Sequence, residues 1–166
     1  MKAWYLIHSK PRQESLAQEN LERQGYTTYL PVTSVKRRTG RKTGSAVGAM
    51  FPRYLFIQLS EKTDDWRPIR STLGVSSLIR FGQTPAKVPD HFISQIRLRE
   101  DETGLCLLPL RDYKKGDRVR ISEGPFAGYE AIFQSISAKD RVSILLELIQ
   151  SSIHIELEQG FVEPNS

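Results

Sequence analysis

Cysteine is nearly missing from this sequence, since Cys106 is the only one. A single thiol excludes an internal disulfide and the thiolate clusters that hold structural zinc. The three histidines, His8, His91 and His154, are spread along the chain without paired cysteines. We therefore expect neither a metal site nor a bound cofactor.

Long apolar runs are missing as well. No stretch approaches the roughly 20 apolar residues that span a bilayer. Residues 1–10 lack the apolar segment and the cleavage site of a secretory signal peptide. These absences lead us to expect a cytoplasmic protein.

Catalytic motifs are also absent from the sequence. It contains no Gly-x-x-x-x-Gly-Lys loop of the kind that cradles nucleotide phosphates. The adjacent acids Asp64 and Asp65 fit the charges expected at the start of a helix better than a catalytic pair. We expect a binding protein and not an enzyme.

Positive charge is concentrated in the first part of the chain. Residues 1–99 contain 17 lysines and arginines against 7 acidic residues, whereas residues 100–166 contain 7 against 12. A basic region suits a polyanion such as nucleic acid, although solvated surface charge would give the same count. The acidic part could meet a basic protein or the basic part of its own chain.

Hydrophobic periodicity and turn residues predict the order βαββαβα for the first domain, residues 1–100. The predicted strands are 3–8, 26–35 (interrupted by Pro31), 53–59 and 75–81. The predicted helices are 10–24 (with Ser9 as its cap and Gly25 at its end), 64–71 and 90–99. This order implies an α+β fold in which helices pack on an antiparallel sheet, ferredoxin-like or closely related. Residues 36–45 are predicted to form a basic loop, either solvated or close to DNA.

Residues 101–112 are predicted to be a linker, and 113–166 a small second domain. Within that domain, residues 116–133 alternate apolar and charged side chains around Gly-Pro and Ala-Gly turns. This stretch resembles the KOW motif, a β-barrel module of transcription elongation factors and some ribosomal proteins.

Residues 142–157 satisfy two periodicities at once. Val142, Ile144, Leu146 and Leu148 alternate as in a strand, as do Ile153, Ile155 and Leu157. Val142, Leu145, Leu146, Ile149 and Ile153 also form a helical stripe. The second domain is therefore either a β-barrel or a helical structure.

Three blocks of the first domain, together with the KOW-like stretch, carry a wider resemblance. They are Trp4-Tyr5-Leu6, the Phe-Pro-Arg-Tyr-Leu-Phe-Ile of residues 51–57, and residues 66–82. In this order they resemble the NusG family over nearly the whole chain. The Arg-Phe-Gly of residues 80–82, the glutamine-rich first helix and the short C-terminus resemble the RfaH-like members most.

The resemblance implies a monomeric transcription elongation and antitermination factor. Such factors bind the β′ clamp helices of bacterial RNA polymerase, contact the β subunit across the DNA cleft and suppress pausing. RfaH-like members also read the exposed non-template DNA strand. Their C-terminal domain can engage a small-subunit ribosomal protein, which couples translation to transcription. In RfaH that domain is a helical hairpin docked on the clamp-binding surface, which then refolds as a barrel.

The resemblance also assigns residues to each partner. The residues that match the clamp-binding patch are Pro52, Tyr54, Phe56, Ile93 and Ile96. Period-two alternation puts Tyr54 and Phe56 on one face of their strand, where an ordinary core is the alternative to a partner site.

The positions assigned to the non-template strand are Lys10, Arg12, Gln13, Asn20, Arg70 and Thr72. Amides can read base edges and cations can bind phosphates, although a solvated helix face would look the same. Leu16 and Leu73 stand where RfaH-like proteins often carry arginine, so the chain departs from that pattern.

Two further interpretations stay open at this point. Residues 65–67, Asp-Trp-Arg, are a candidate contact to the polymerase β subunit, or Trp66 anchors its helix in the core. The alternative function for the whole chain is a ribosome- or RNA-associated KOW protein without polymerase contact, which would not need the 51–57 patch.

Overall fold

The computed structural model describes residues 2–39, 42–106, 132 and 137–160, with side chains for all of these except 35–39, 42–46 and 152–160. Its strands, in chain order, are β1 Lys2–Ser9, β2 Thr27–Tyr29, β3 Val32–Thr39, β4 Lys42–Ala49, β5 Tyr54–Ser60, β6 Val75–Leu78, β7 Arg80–Phe81, β8 Thr84–Pro85, β9 Lys87–Val88 and β10 Leu105–Cys106. Its helices are α1 Glu14–Arg23, α2 Asp90–Leu98 and α3 Ala138–Gly160, and Arg67–Ser71 forms a 3-10 helix.

The central sheet has the strand order β2-β5-β1-β6, and β9 also pairs with β1. Every pairing in this sheet is antiparallel. β1 and β2 flank β5, with α1 connecting them, which is the split βαβ arrangement of ferredoxin-like folds. The predicted mixed α+β architecture with an antiparallel sheet is therefore confirmed.

The two faces of this sheet carry separate apolar clusters. Leu55 and Ile57 of β5 pack with Ala17 and Leu21 of α1 on one face. Phe56 lies on the other face, where the second cluster forms. The predicted alternation along β5 is thus confirmed, since successive side chains of a strand point to opposite faces.

The start of α1 differs from the prediction, although its end agrees. Ser9 does not cap the helix, because its hydroxyl donates to the carbonyl of Lys10 and the helix begins only at Glu14. A turn with Arg12 at φ 62° intervenes. Gly25 ends the helix as predicted, at φ +95°, and the N–H of Tyr26 reaches back to the Leu21 carbonyl.

Three other predicted elements are shorter or different. The helix predicted for 64–71 is only the 3-10 turn Arg67–Ser71, where Pro68 supplies no N–H to an α-helix. The strand predicted for 75–81 is divided into β6 and β7, and β7 turns away to pair with β8. α2 matches the prediction, with Phe92, Ile93 and Ile96 buried.

The basic stretch 36–45 is predicted from the sequence to be a loop. In the structure, most of its residues are paired in β-strands. β3 and β4 form a long antiparallel hairpin in which Val32 faces Ala49 and Thr39 faces Lys42. The loop prediction was wrong here because backbone pairing overrides a local composition rich in Gly, Thr and cations.

The first part of the predicted linker also has structure. β10 pairs in parallel with β3, and the Thr33 hydroxyl donates to the Cys106 carbonyl at 2.9 Å. Residues 107–112 lie outside the described residues. So does the KOW-like stretch 116–133, except for Ile132.

The C-terminal part that is described is helical. Of the two periodicities of residues 142–157, the structure has the helix, α3, and not the strands of a barrel. Among the described residues, no helix is long and apolar enough to cross a membrane.

Gly74 is a position where the fold requires glycine. Its φ is +94°, and a Cβ placed there would lie 2.7 Å from the backbone nitrogen of Ala17 in α1. Gly25 has almost the same φ, but a Cβ there would meet nothing within 4 Å. Comparing substitutions at these two glycines therefore separates the energetic cost of backbone strain from that of steric overlap.

We expect Gly25→Ala to lower the free energy of unfolding by about 1 kcal/mol, the strain of a left-handed residue. Gly74→Ala adds the overlap with α1 and should cost roughly 2–4 kcal/mol in total. Urea denaturation followed by circular dichroism measures both. Equal losses for the two variants would contradict the close approach of Gly74 to Ala17.

The buried thiol of Cys106 reports on the packing of β10. Its side chain is 1% exposed, and burial raises its pKa to about 11 from the ordinary 9.0. At pH 8 we expect a thiol reagent to modify the folded protein at least about a hundredfold more slowly than the urea-unfolded chain, because fewer thiolates form and access is blocked. Similar rates in the two states would show that β10 does not pack as described.

Candidate functional site

An aromatic surface covers one face of the central sheet. We define it by Phe51, Tyr54, Phe56, Phe92, Ile93 and Ile96, which belong to or pack against one cluster. The ring of Phe56 lies 6.2 Å from that of Phe51 and 5.9 Å from that of Phe92, both in the range of favourable edge and tilted contacts. The aromatic surface is therefore a continuous apolar layer built by β5, α2 and the segment before β5.

α2 is held against the sheet by contacts at its C-terminal end. The guanidinium of Arg97 lies 4.8 Å from the ring centre of Tyr29 and 5.5 Å from that of Trp4. The Tyr29 hydroxyl donates to the Glu100 carboxylate, and burial together with this bond raises the pKa of Tyr29. These contacts fix the orientation of α2, and with it the positions of Ile93 and Ile96 in the aromatic surface.

α3 lies over the aromatic surface. Leu145 and Ile149 are 0% and 1% exposed, and they belong to the same cluster as Phe56. Ser143 and Glu147, on the other side of the helix, are exposed. The helical stripe seen in the sequence is thus the face that covers this surface.

Arg141 adds a polar contact to this apolar interface. It is 3% exposed, and its Nε–H donates to the carbonyl of Met50 at 2.9 Å. Burial lowers the pKa of the guanidinium, which still remains charged at neutral pH. Arg141 was not predicted from the sequence. The available signal was its spacing, because Arg141 lies four residues before Leu145 and eight before Ile149, on the same face of the helix.

The structure brings the predicted clamp-binding residues together. Phe56, Ile93 and Ile96 are buried under α3 or within the layer, Tyr54 is half-buried, and Pro52 is exposed at the rim. His8 stacks on Tyr54 with ring centres 5.0 Å apart. Partial burial, and then the charge of Arg53, lower the pKa of His8, so the ring is neutral at pH 7.

The predicted DNA-binding residues make up a second candidate surface, which extends from the segment before α1 along that helix to the 3-10 segment before β6. Lys10, Arg12 and Arg70 are exposed, Gln13 and Asn20 are half-buried, and Thr72 is 7% exposed. The Thr72 hydroxyl accepts from Gln24 and donates to the Pro68 carbonyl. Its side chain therefore positions the backbone of its loop, while the cations are the accessible members.

Arg53 connects the two surfaces, and no pattern in the sequence indicates its role. It sits between Pro52 and Tyr54 with φ at 73°. Its N–H donates to the Glu14 carboxylate and its Nε–H to the Ser9 carbonyl. A left-handed arginine held from both sides marks a strained segment, and such backbone conformations cannot be read from composition.

The sequence of residues 65–67 is compatible with a partner contact or with an anchor for the core. Trp66 packs edge-on against Tyr5 at 4.8 Å, and its Nε1–H donates to the Ser60 carbonyl. Asp65 and Arg67 form an exposed ion pair, and the hydrogen bonds from Arg67 lower the pKa of Asp65. The tryptophan contacts are those of an anchor, and the two charges remain accessible.

In the part of the chain that the structure describes, no group of three or more histidine, cysteine, aspartate or glutamate side chains is placed to hold an ion. The arrangement consists of an apolar surface, its helical cover and a basic rim.

Known proteins match this chain along nearly its whole length. A family model described as "Transcription termination factor nusG" matches residues 2–97, which is more than half of the chain. The chain belongs to the NusG family.

Relatives of this NusG-family chain carry the name "Transcription termination/antitermination protein NusG". The one from Thermus thermophilus is 25% identical over 173 residues, covering 93% of this chain and 94% of the relative. The one from Vibrio vulnificus is 24% identical over 173 residues, covering 98% and 95%. A solved structure titled "Domain interaction in Thermotoga maritima NusG" has 21% identity and a TM-score of 0.47 over 76% of this chain and 75% of that one.

The cover provided by α3 can be tested with a buried charge. Leu145→Glu places a carboxylate in the apolar interface, and undocking α3 costs less than burying that charge. We expect faster amide hydrogen exchange in α3 and in α2. Ser143→Glu adds the same charge on the exposed side of the helix and should leave the exchange of α2 unchanged.

Mass spectrometry of peptides from residues 90–98 measures the difference. Equal exchange of these peptides in both variants would contradict the packing of α3 on the aromatic surface.

Proposed function

We propose that this NusG-family chain is a transcription elongation and antitermination factor of the RfaH-like type, acting in the cytoplasm by binding and without catalysis. Its partners are bacterial RNA polymerase and the non-template DNA strand. The observation that carries the proposal is the aromatic surface beneath α3. Large contiguous apolar surfaces of this kind mark partner sites when they become exposed.

The clamp helices of the polymerase β′ subunit are the proposed occupant of the aromatic surface. α3 is itself an amphipathic helix that packs there through Leu145 and Ile149. A surface that accepts one helix in this way suits another helix with the same spacing of apolar side chains. In this proposal α3 and the clamp helices compete for one surface.

The energies permit such a competition. Full burial of a leucine or isoleucine side chain contributes roughly 1.5–3 kcal/mol. The two fully buried residues of α3 therefore supply a few kcal/mol. The half-buried Val142, Ile144, Leu146 and Leu148 add to this, and a partner helix of similar apolar area can replace these contacts. Losing the Arg141 to Met50 contact costs α3 one further hydrogen bond. The cover is thus displaceable, as an autoinhibitory element must be.

The released C-terminal domain is proposed to refold as a KOW barrel and to engage a small-subunit ribosomal protein. The double periodicity of residues 142–157 supports this step, because the same side chains can line a helix face or alternate along strands. A two-state element needs two packings that differ by only a few kcal/mol.

Exposed cations around α1 support contact with the non-template strand. Lys10, Arg12 and Arg70 take part in no ion pair among the described residues. They are free to bind phosphates while the aromatic surface holds the polymerase. We also propose that Asp65 and Arg67 contact the β subunit across the cleft.

Binding to core RNA polymerase tests the proposal. We expect Leu145→Glu to bind more tightly than the unmodified chain, because the aromatic surface is uncovered. Adding Tyr54→Ala should then weaken binding roughly tenfold or more, the effect of losing an interface hot spot. Leu30→Ala removes another half-buried apolar side chain, packed against the cluster on the opposite face of the sheet, and should not change polymerase affinity.

Affinity is measured by fluorescence anisotropy with labelled full-length variants. If none of them binds polymerase, the proposal fails and a ribosome- or RNA-associated KOW protein becomes the better description. Equal loss of affinity with Tyr54→Ala and Leu30→Ala would show that the aromatic surface is not the contact.

A further inference from the structure

Among the described residues, the outer edge of β4 has no partner. β4 is the last strand of the sheet β10-β3-β4, and β3 covers only one of its edges. The ladder between β3 and β4 runs without a bulge from the Val32–Ala49 pair to the Thr39–Lys42 pair. An edge of eight residues presents a row of backbone donors and acceptors with which a further strand can pair.

The register shows which backbone groups face this open edge. The N–H of Met50 donates to the Pro31 carbonyl at 2.9 Å, directly beyond the end of the ladder. Hydrogen-bonded and non-hydrogen-bonded pairs alternate along an antiparallel ladder. Gly48 therefore uses its N–H and C=O to bond β3, whereas Val47 and Ala49 turn theirs outward. Every second residue of β4 thus offers a donor and an acceptor to a new strand.

β4 also lacks the features that keep natural edge strands unpaired, which are charged side chains, proline and bulges. Residues 43–49, Thr-Gly-Ser-Ala-Val-Gly-Ala, contain no charge and no proline. None of these residues is larger than valine, and Val47 is 68% exposed. A second strand can therefore approach this edge closely and cover Val47.

Charge decides which strand fits. Five cations lie in residues 36–42, and they are Lys36, Arg37, Arg38, Arg41 and Lys42. No acidic residue occurs between Glu22 and Glu61. A second copy of this chain would bring the same positive charge to the edge and would be repelled, whereas an acidic segment is attracted. Nucleic acid shares the negative charge, but it has no backbone that matches the alternating donors and acceptors of a strand edge.

We propose that β4 is a docking edge for an extended acidic segment of a partner protein, which adds to the three-stranded sheet as a new outer strand. Backbone hydrogen bonds to Val47 and Ala49 supply the pairing, and the cations of residues 36–42 select a segment rich in aspartate or glutamate. The inference goes beyond the proposed contacts with polymerase and DNA, since no residue of the aromatic surface or of the predicted DNA-binding set belongs to β4.

Binding of a synthetic strand to the full-length protein tests the inference. The probe is a capped peptide in which valine alternates with glutamate, and the same peptide with lysine in place of glutamate is the charge control. Residue-resolved NMR measures amide hydrogen exchange. We expect the acidic peptide to slow exchange at Val47 and Ala49, and to leave Gly48, which already bonds β3, nearly unchanged. The lysine peptide should not bind.

A modified probe tests the backbone pairing without changing the protein. N-methylation of two adjacent central nitrogens blocks one donor on each edge of the peptide. We expect it to weaken binding roughly tenfold or more, because each hydrogen bond contributes about a factor of two to ten and the methyl groups hinder close approach.

Variants assign the contact to the edge of β4. Val47→Pro removes an outward N–H that the hairpin does not use, so the fold should be kept while the acidic peptide binds roughly tenfold more weakly. Val47→Thr keeps this N–H and should retain binding. Amide exchange in β1 and β5 checks that both variants are folded. Arg37→Gln combined with Arg38→Gln should weaken binding and reduce its dependence on salt.

Several results would overturn the inference. Equal binding of the acidic, lysine and N-methylated peptides would show that the strand edge is not used. Binding of single-stranded DNA in preference to the acidic peptide, without protection of Val47 and Ala49, would make the hairpin a nucleic-acid site. A dimer of the full-length protein that Val47→Pro dissociates would identify a second copy as the occupant. Slow exchange at Val47 and Ala49 before any peptide is added would show that the edge is already covered.

Discussion

β5 is the strand on which both apolar clusters of this protein depend. It lies between β1 and β2 in the central sheet, so its backbone is paired on both edges. Leu55 and Ile57 complete the cluster under α1, and Phe56 completes the aromatic surface on the opposite face. A change in the register of β5 by one residue would exchange these faces. The fold and the candidate partner site therefore share one strand.

The aromatic surface is packed like a core, but the element that covers it is α3. Its rings pack together at 5.9 to 6.4 Å, as in an ordinary core. Its outer layer is supplied by α3, which is far away in sequence. A core built in this way keeps its inner part when the outer helix leaves, since β5 and α2 hold their own contacts. In the proposed function, this division allows a packed cluster to serve as a partner site.

Polar contacts place the two candidate surfaces relative to each other. Arg53 donates to Glu14 and Ser9, which ties the start of β5 to the start of α1. Lys10 donates to Gly74, which ties the same region to the turn that carries Leu73. A protein held on the polymerase through one surface would therefore present its basic rim in a fixed direction. Such positioning matters more for recognition than the number of charges.

The sequence by itself determined the alternation of β5, the extent of α2, the end of α1 at Gly25 and membership of the NusG family. These follow from local periodicity, turn chemistry and motifs. Only the tertiary structure decided that residues 36–39 and 42–45 are paired strands, that Arg141 is buried against Met50, and that residues 138–160 form a helix. The apolar residues of α3 are spaced in a way that fits both a helical and a strand period. Burial of Leu145 and Ile149 on the aromatic surface selects the helix, and that contact is invisible to any local pattern.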